Sequence, residues 1–545
     1  MSSMQTHEVY NQVPPLVGHD TSDDPALREG LVREGAGWAV EEVSALGRIA
    51  GSAEAQQWGR LAERVPPRLL THDRYGHRID EVDYVPAYHQ LMETAISHGL
   101  HGAAWADDRP GAHVARAAKM MVWNVDAGHG CPISMTYSVV PALRAHAELS
   151  ARFEPLLTNR VYDYGLRDPA TKRGLVAGMS MTEKQGGSDV RANTTRATPQ
   201  TDGSYALVGH KWFTSAPMSD LFLTLAQAPE GLSCFLVPRV LPGGGLNAMR
   251  LVRLKDKLGN RSNASSEIEY DGATGWLVGE EGRGVRTIVE MVNMTRLDCV
   301  IGAASGMRMG LTQAAHHARH RSAFGKRLVD QPLMRNVLAD LAVESEAATT
   351  AMLRLAGAND RATRGDEAES ALRRIALAVT KYYVCKRGPM HAAEALECLG
   401  GNGYIEDSDM PRLYRELPLL SIWEGSGNVA ALDALRAMVR EPHTLDVFVA
   451  EAEQATGQDA RFDDAVDRLK KELTSFDDIE HRARRIVEQM ALVFQGSQLL
   501  RHSPEAVAAA FCASRLDRDW GGAFGTLPSG LDLAPIIDRA LVETG

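Results

Sequence analysis

Residues 179–190 read MSMTEKQGGSDV, and the fold is decided by what this stretch begins. Met181 and Thr182 lead into a loop in which Gly186 and Gly187 are followed by Ser188 and Asp189. Adjacent glycines let a backbone approach a ligand closely, and the amides and hydroxyls around them donate hydrogen bonds. The stretch also marks a change of hydrophobic period. Upstream, from about 24 to 160, apolar residues recur at helical spacing, as at Val114, Ala117, Ala118, Met121 and Val122. Downstream, to about 282, short runs such as YALV (205–208), LFLTL (221–225) and CFLV (234–237) are separated by turn residues, the pattern of strands. From 284 helical spacing returns in long segments, 285–320 and 371–399, and 441–545 is helical again with polar breaks at 474–478 and 521–530. The expectation is an α+β chain with segregated layers. It divides into an N-terminal helical domain (1–170), a middle β-domain (171–283), a C-terminal helical domain (284–440) and an additional helical domain (441–545).

Composition removes several classes of function. The chain has 545 residues, 44% hydrophobic and 24% charged, an ordinary globular balance. Its 59 basic and 70 acidic residues give a net charge of −11, the wrong sign for a protein that mainly coats phosphate. No apolar run is long enough to span a bilayer, and the start, 1–15, is polar, so a cytoplasmic location is expected. Six cysteines are scattered without a paired motif and read as buried thiols rather than a disulfide or zinc framework.

Two further segments carry chemistry. Trp212, Phe213 and Thr214 put aromatic planes beside a hydroxyl on a strand, although Trp212 alone fits a core position equally well. Residues 421–428 read SIWEGSGN: Glu424 follows Ile422 and Trp423, and Gly425, Ser426 and Asn428 lead into a helix start. A carboxylate in an apolar setting has its pKa raised, as a catalytic base requires, and a helix N-terminus holds phosphate. A plain capped helix start explains the same residues.

In this order and setting, the segments resemble the acyl-CoA dehydrogenase family of flavoproteins. Arg321 to Gly325 (RSAFG) and Leu399 to Tyr404 (LGGNGY) match two more of its motifs. TEKQGGSD, GHKWF, LKDKLGNRSNAS and SIWEGSGN narrow the likeness to the alkylation-response branch, which carries an additional C-terminal helical domain. The resemblance implies a barrel-like middle domain, a C-terminal four-helix bundle and bound FAD. Thr182, with the Met181 backbone, would hold the flavin ring, and Gly187 and Ser188 would approach the pyrophosphate. Trp212 and Phe213 would pack at the isoalloxazine, and Thr214 would reach its N5/O4 edge. Ile422, Trp423, Gly425, Ser426 and Asn428 would line the cofactor beside the base, Glu424. Arg321, Phe324 and Gly401 would hold the adenine end of a flavin bound mainly by a neighbouring subunit, so a homotetramer is implied. The alternative base position, immediately before Arg296, is Thr295, which cannot ionise. The family's Gln after the Phe-Gly segment comes one residue early, as Gln331.

Two readings of function result. The branch resemblance implies a protein that protects DNA from alkylation, binds double-stranded DNA and has weak acyl-CoA dehydrogenase activity. The alternative is an ordinary metabolic acyl-CoA dehydrogenase passing electrons to a transfer partner, without DNA. Residues 441–545 hold 11 Lys/Arg against 19 Asp/Glu, so DNA contact would need clustered arginines. The candidates are Arg482 with Arg485, Arg515 with Arg518, and Arg436 with Arg440, each pair spaced to share a helix face. No metal is expected. His316 and His320 stand one helical turn apart without an acidic partner or a third ligand, which fits a solvated face better than a site. Gly401-Asn402-Gly403 lacks the third glycine and preceding strand of a dinucleotide fingerprint.

Overall fold

A computed structural model describes residues 6–475 and 477–542, so 1–5 of the polar start lie outside the described residues. The N-terminal part is helical, with caps where the sequence supplies them. Asp24 accepts the Ala26 amide before the first helix, Pro25–Arg33, and Ser52 accepts the Ala55 amide before Ala53–Arg64. Helical spacing did not reveal an antiparallel hairpin here, β1 (Arg68–His72) with β2 (Arg78–Asp83), joined across a turn in which Gly76 has φ +86°. Two helices follow that matter for the site, α1 (Ala112–Val122) and α2 (Ala127–Leu143), the second capped by Asp126, which accepts the His129 amide.

The middle part is a closed sheet. Its strands are β3 (Ala177–Ser180), β4 (Arg196–Pro199), β5 (Tyr205–Ser215), β6 (Leu221–Ala228), β7 (Gly231–Pro238), β8 (Met249–Leu254) and β9 (Ser265–Val278). Their order is β3-β6-β4-β5-β9-β7, with β8 on β9, and a β6–β7 pairing closes the ring. β3 and β4 run parallel to β6, and the other pairs are antiparallel. The apolar runs of β6 and β7 are buried because both faces of these strands are covered. Register slips between Lys211 and Thr214, where β5 bulges against β9.

The rear part is a bundle. α3 (Gly284–His320), for which the period allows one helix or two nearly continuous ones, is one unbroken helix, and it antiparallels α4 (Pro332–Thr363), followed by α5 (Glu367–Glu397). A short hairpin, β10 (Ser322–Ala323) with β11 (Lys326–Arg327), joins α3 to α4. Helix Met410–Leu420 and α6 (Gly427–Arg440) complete the layer. The additional domain contributes three helices, His443–Glu453, Ala460–Glu472 and α7 (Ile479–His502). A fourth, Glu505–Phe511, runs into a π-helical turn, Cys512–Leu516, and a fifth, Ala534–Ala540, follows. One continuous apolar core runs through all four parts. All six cysteines are buried and free, and no helix among the described residues is long and apolar enough to cross a membrane.

Candidate functional site

One wall of the site is built from the end of β3 and from β5. Beyond β3, Met181 and Thr182 are half-buried, and the chain then turns on Glu183, which is fully buried. Glu183 accepts the amides of Thr194 (2.7 Å) and Thr195 (3.1 Å), the Thr194 hydroxyl (2.9 Å) and Lys211 Nζ (2.9 Å). Burial works against its charge, but the Thr194 amide, Lys211 and Thr195 prevail and hold the carboxyl well below its ordinary value. Burial meanwhile pulls Lys211 down to about 8 against the attraction of Glu183. The Thr182 carbonyl accepts the Trp212 amide (2.8 Å), which locks the first motif to the second. A Cβ on Gly187 would lie 2.4 Å from Thr182 Oγ1, so only glycine leaves that hydroxyl in place. Ser188 is exposed on the same loop.

β5 corrects the expected flavin contact at Thr214. That side chain is completely buried, and its hydroxyl is spent on Ser180 Oγ at 2.5 Å. Lys211 and Thr214 are both buried on the inner face, and the bulge between them leaves Trp212 and Phe213 side by side, with Lys255 Nζ 3.5 and 4.6 Å from their ring centroids, while Ser215, one residue past Thr214, turns to the other face. Phe213 is 48% exposed. Ser215 lies 3.4 Å from Ser265 Oγ and hydrogen-bonds the thiol of Cys131 on α2, which burial pushes up to about 12. The Trp212 ring is half-buried and covered by Lys255 Nζ, 3.5 Å from its centroid. The hydroxyl that faces the cleft is therefore that of Ser215. The one-residue difference comes from the bulge, which no pattern in the sequence announces.

The opposite wall is the loop 421–426. Arg296, on α3, donates from Nε to the Glu424 carbonyl (3.0 Å) and from Nη1 to Asp433 Oδ2 (2.6 Å). Lys381, on α5, donates to the carbonyls of Gly425 and Ser421. This clamp holds Glu424 at φ +56° and Gly425 at φ +100°, conformations that cost energy for a residue with a side chain and persist only where neighbours enforce them. A Cβ on Gly425 would lie 2.9 Å from Val429 Cγ1. The Glu424 carboxyl has its pKa raised by burial, opposed by the Thr295 hydroxyl and by the charges of Arg296 and Lys381. Cys131 feels the Glu424 charge as well as the Ser215 hydroxyl, so both walls meet at the start of α2. Trp423 is half-buried, whereas Ile422, Ser426 and Asn428 are exposed. Ser426 makes no side-chain cap at the start of α6, which leaves that helix's first amides free for an anion. Arg484, from α7 of the additional domain, donates to Asn428 Oδ1 at 2.8 Å. Arg484, Lys381 and Cys131 are site residues that sequence reading missed, because each is brought in by tertiary packing rather than by a motif, whereas Ser215 stands in the Lys211–Ser215 motif and only the choice of Thr214 over it was wrong.

Three further candidates lie elsewhere in the chain. Thr295 and Arg321 are 26 residues apart on and just beyond α3, about 39 Å at 1.5 Å per residue. Arg321 and Phe324 belong to the hairpin after α3, where Phe324 is fully exposed, and Gly401 sits in a short turn, Gly400–Gly403, with open space around it. At that distance Arg321 and Phe324 cannot reach the cleft of their own chain.

The arginine pairs separate. Arg515 does not face solvent: it is buried and bound to Asp340 and to Glu344 (3.0 Å), so it has no surface to offer a phosphate. It also shares no helix face with Arg518, because the helix ends in the π turn and Arg518 adopts φ +65°. Arg482 is pinned to Glu472 (2.7 Å) and to the carbonyls of Ser475 and Asp477. Arg436 lies 3.5 Å from Asp433, and Arg440, Arg485 and Arg518 are exposed. Of the distractors, His316 Nε2 is bonded to the Pro14 carbonyl at 2.8 Å, and no metal-binding cluster occurs among the described residues.

Comparison with known proteins places these walls in a family. Residues 11–164 match the adaptive response protein AidB N-terminal domain, 178–273 the acyl-CoA dehydrogenase middle domain and 282–439 the acyl-CoA dehydrogenase C-terminal domain. The AidB protein of Escherichia coli (strain K12) is 48% identical over 524 residues, covering 95% of this chain and 96% of that protein. Acyl-CoA dehydrogenase family member 11 of Caenorhabditis elegans is 30% identical over 541 residues, covering 92% and 86%. The crystal structure of C. elegans ACDH-11 in complex with C11-CoA superposes with a TM-score of 0.86 at 28% identity, covering 95% of this chain and 94% of that one.

Proposed function

The chain belongs to the acyl-CoA dehydrogenase family, in its AidB-like branch, and from that premise we propose that it is an FAD-dependent dehydrogenase of acyl-CoA thioesters with Glu424 as base. The observation that carries this reading is Glu424 itself: a carboxyl made more basic by burial, on a strained loop clamped by Arg296 and Lys381. Such a group can take the proton α to a thioester carbonyl, and Thr295 and the two cations stabilise the ionised form that does so. Bound FAD would supply the two-electron acceptor for hydride from the β-carbon.

The residues present fit that cofactor. Thr182 stands with its hydroxyl backed by Gly187, Ser215 offers a hydroxyl to the cleft, and the uncapped α6 start beside Asn428 and Ser426 suits a pyrophosphate. Met181, Ser188, Phe213, Trp423, Ile422 and Gly425, all half-buried or exposed, would complete the contacts around the cofactor. Arg321, Phe324 and Gly401, remote from their own chain's base, would serve a neighbouring subunit's cofactor, and the resemblance to the family makes that assembly a homotetramer. An acyl-CoA substrate is supported by the C11-CoA complex of the C. elegans neighbour.

Anaerobic mixing with a short acyl-CoA should bleach the flavin of the native protein. Glu424→Gln should bleach it about 10²–10⁴-fold more slowly while keeping its FAD. Bleaching at the native rate by that variant would refute the assignment.

For biological role, likeness to AidB favours protection of DNA from alkylation over an ordinary metabolic role. Arg436, Arg440, Arg485 and Arg518 are the arginines left at the surface for DNA. Affinity for a DNA duplex should fall steeply as salt rises. Absence of binding at low salt would favour the metabolic alternative.

A further inference from the structure

The segment before the first helix is tied to the far end of α3 by one residue more than any other. Asn11 Nδ2 donates to the Ser322 carbonyl at 2.8 Å, and the Ser322 amide donates back to Asn11 Oδ1 at 2.8 Å. This is the paired pattern of a strand neighbour, made by a side chain. The Asn11 carbonyl also accepts from the Arg321 guanidinium. Asn11 holds φ +54° to do this, a region that asparagine tolerates better than most residues. Three residues on, the Pro14 carbonyl is bonded to His316 Nε2 at 2.8 Å, which fixes the segment to the last turns of α3.

What the segment grips would not hold its shape alone. β10 and β11 are two residues each, and an isolated two-stranded hairpin is marginal even when longer. At its tip Phe324 has φ +54° and Gly325 φ +78°, and Phe324 is fully exposed. A large apolar side chain in a strained backbone, facing water, gains nothing within its own subunit. On the α4 side, Gln331 Nε2 donates to the Ala323 carbonyl (3.0 Å) and the Leu328 amide to the Arg321 carbonyl (2.9 Å). Asn11 closes the opposite side, so the hairpin is braced from both.

We propose that Asn11 is a positioning residue for the cofactor: it presets Arg321 and Phe324 to receive the adenine-diphosphate end of FAD carried by a neighbouring subunit. This rests on the reading above that Arg321 and Phe324 serve a partner's flavin. Asn11 touches neither substrate nor cofactor. It spends one guanidinium N–H and the Ser322 backbone to hold the remaining donors of Arg321 in place. Preorganisation of this kind lowers the ordering cost at binding, so its loss appears as faster cofactor release.

The test uses the holoprotein. Asn11→Gly keeps the left-handed backbone and the carbonyl that accepts from Arg321 but removes the side-chain pair that fixes Ser322 beside it, and Asn11→Asp keeps of that pair only the acceptor for the Ser322 amide. Release of FAD on dilution is followed by the rise of flavin fluorescence, with hydrogen exchange at the Ser322 amide read in parallel. Asn11→Gly should free that amide and release FAD about tenfold faster, equivalent to about 1.4 kcal/mol, with Asn11→Asp between it and native protein. A freed Ser322 amide with an unchanged FAD release rate would overturn the proposal and leave Asn11 a purely structural tie. Arg321→Ala is the reference and should release FAD at least as fast. If it holds FAD as the native protein does, the assignment of Arg321 to the cofactor has failed, and the role of Asn11 falls with it.

Discussion

Glu183, fully buried, and Glu424, half-buried with its carboxyl turned inward, belong to the two opposite walls of the site, and desolvation works against the charge of both. Glu183 faces Lys211, two backbone amides and a hydroxyl, and its pKa is driven down despite complete burial. Glu424 has the Thr295 hydroxyl and the charges of Arg296 and Lys381 near it, but Thr295 Oγ1 donates to the Met291 and Val292 carbonyls, and Arg296 and Lys381 direct hydrogen bonds at the loop's carbonyls rather than at the carboxylate. Its pKa goes up. The number of donors aimed at the carboxylate itself decides whether a buried acid is an anchor or a base. The first glutamate holds the MTEKQGGSD loop in shape, and the second is the one proposed as the base.

The contrast is broken most severely at Lys211. Lys211→Met leaves Glu183 buried and unpaired, which should cost about 3–5 kcal/mol in denaturant unfolding. A loss below about 1 kcal/mol would mean that the amides suffice without the lysine. The sign of the pH linkage separates the two acids further. A depressed folded pKa makes Glu183 stabilising above the ordinary glutamate value, and that contribution is lost as pH falls toward the folded pKa. A raised folded pKa makes Glu424 costly once pH rises past the ordinary value. Glu424→Gln should therefore unfold at a higher denaturant concentration than native protein at neutral pH, the reverse of Lys211→Met. A smaller effect sharpens the picture of the β5 wall. Ser215→Ala should slow flavin reduction about tenfold with stability unchanged, whereas Thr214→Val should cost about 1–3 kcal/mol of stability by orphaning the Ser180 hydroxyl, with reduction unchanged. The opposite outcome would return the cofactor contact to Thr214.

Much of this was legible in the sequence. The switch from helical to strand period brackets the closed sheet, and the single long period over 285–320 became one helix of 37 residues. Glu424 was marked by its apolar neighbours and by the small residues after it. What was hidden has physical reasons. Thr214 and Ser215 exchange roles because a bulge shifts the register by one residue, and one residue turns a side chain to the other face. Arg515 looked like a surface partner of Arg518 because helical spacing was extended through a π turn. The acids that bury it, Asp340 and Glu344, are 175 and 171 residues away in sequence. The hairpin of β1 and β2 was missed because its strands are short and, although their burial alternates, RLLTH and RIDEVD carry only two apolar residues each to mark it.

The pH dependence of flavin reduction by an acyl-CoA tests the role of Glu424 most directly. The rate should rise with pH along a single-proton limb centred clearly above about 4.3, the ordinary glutamate value, and this limb should vanish in Glu424→Gln. A limb at or below that value, or one that survives the substitution unchanged, would contradict the account.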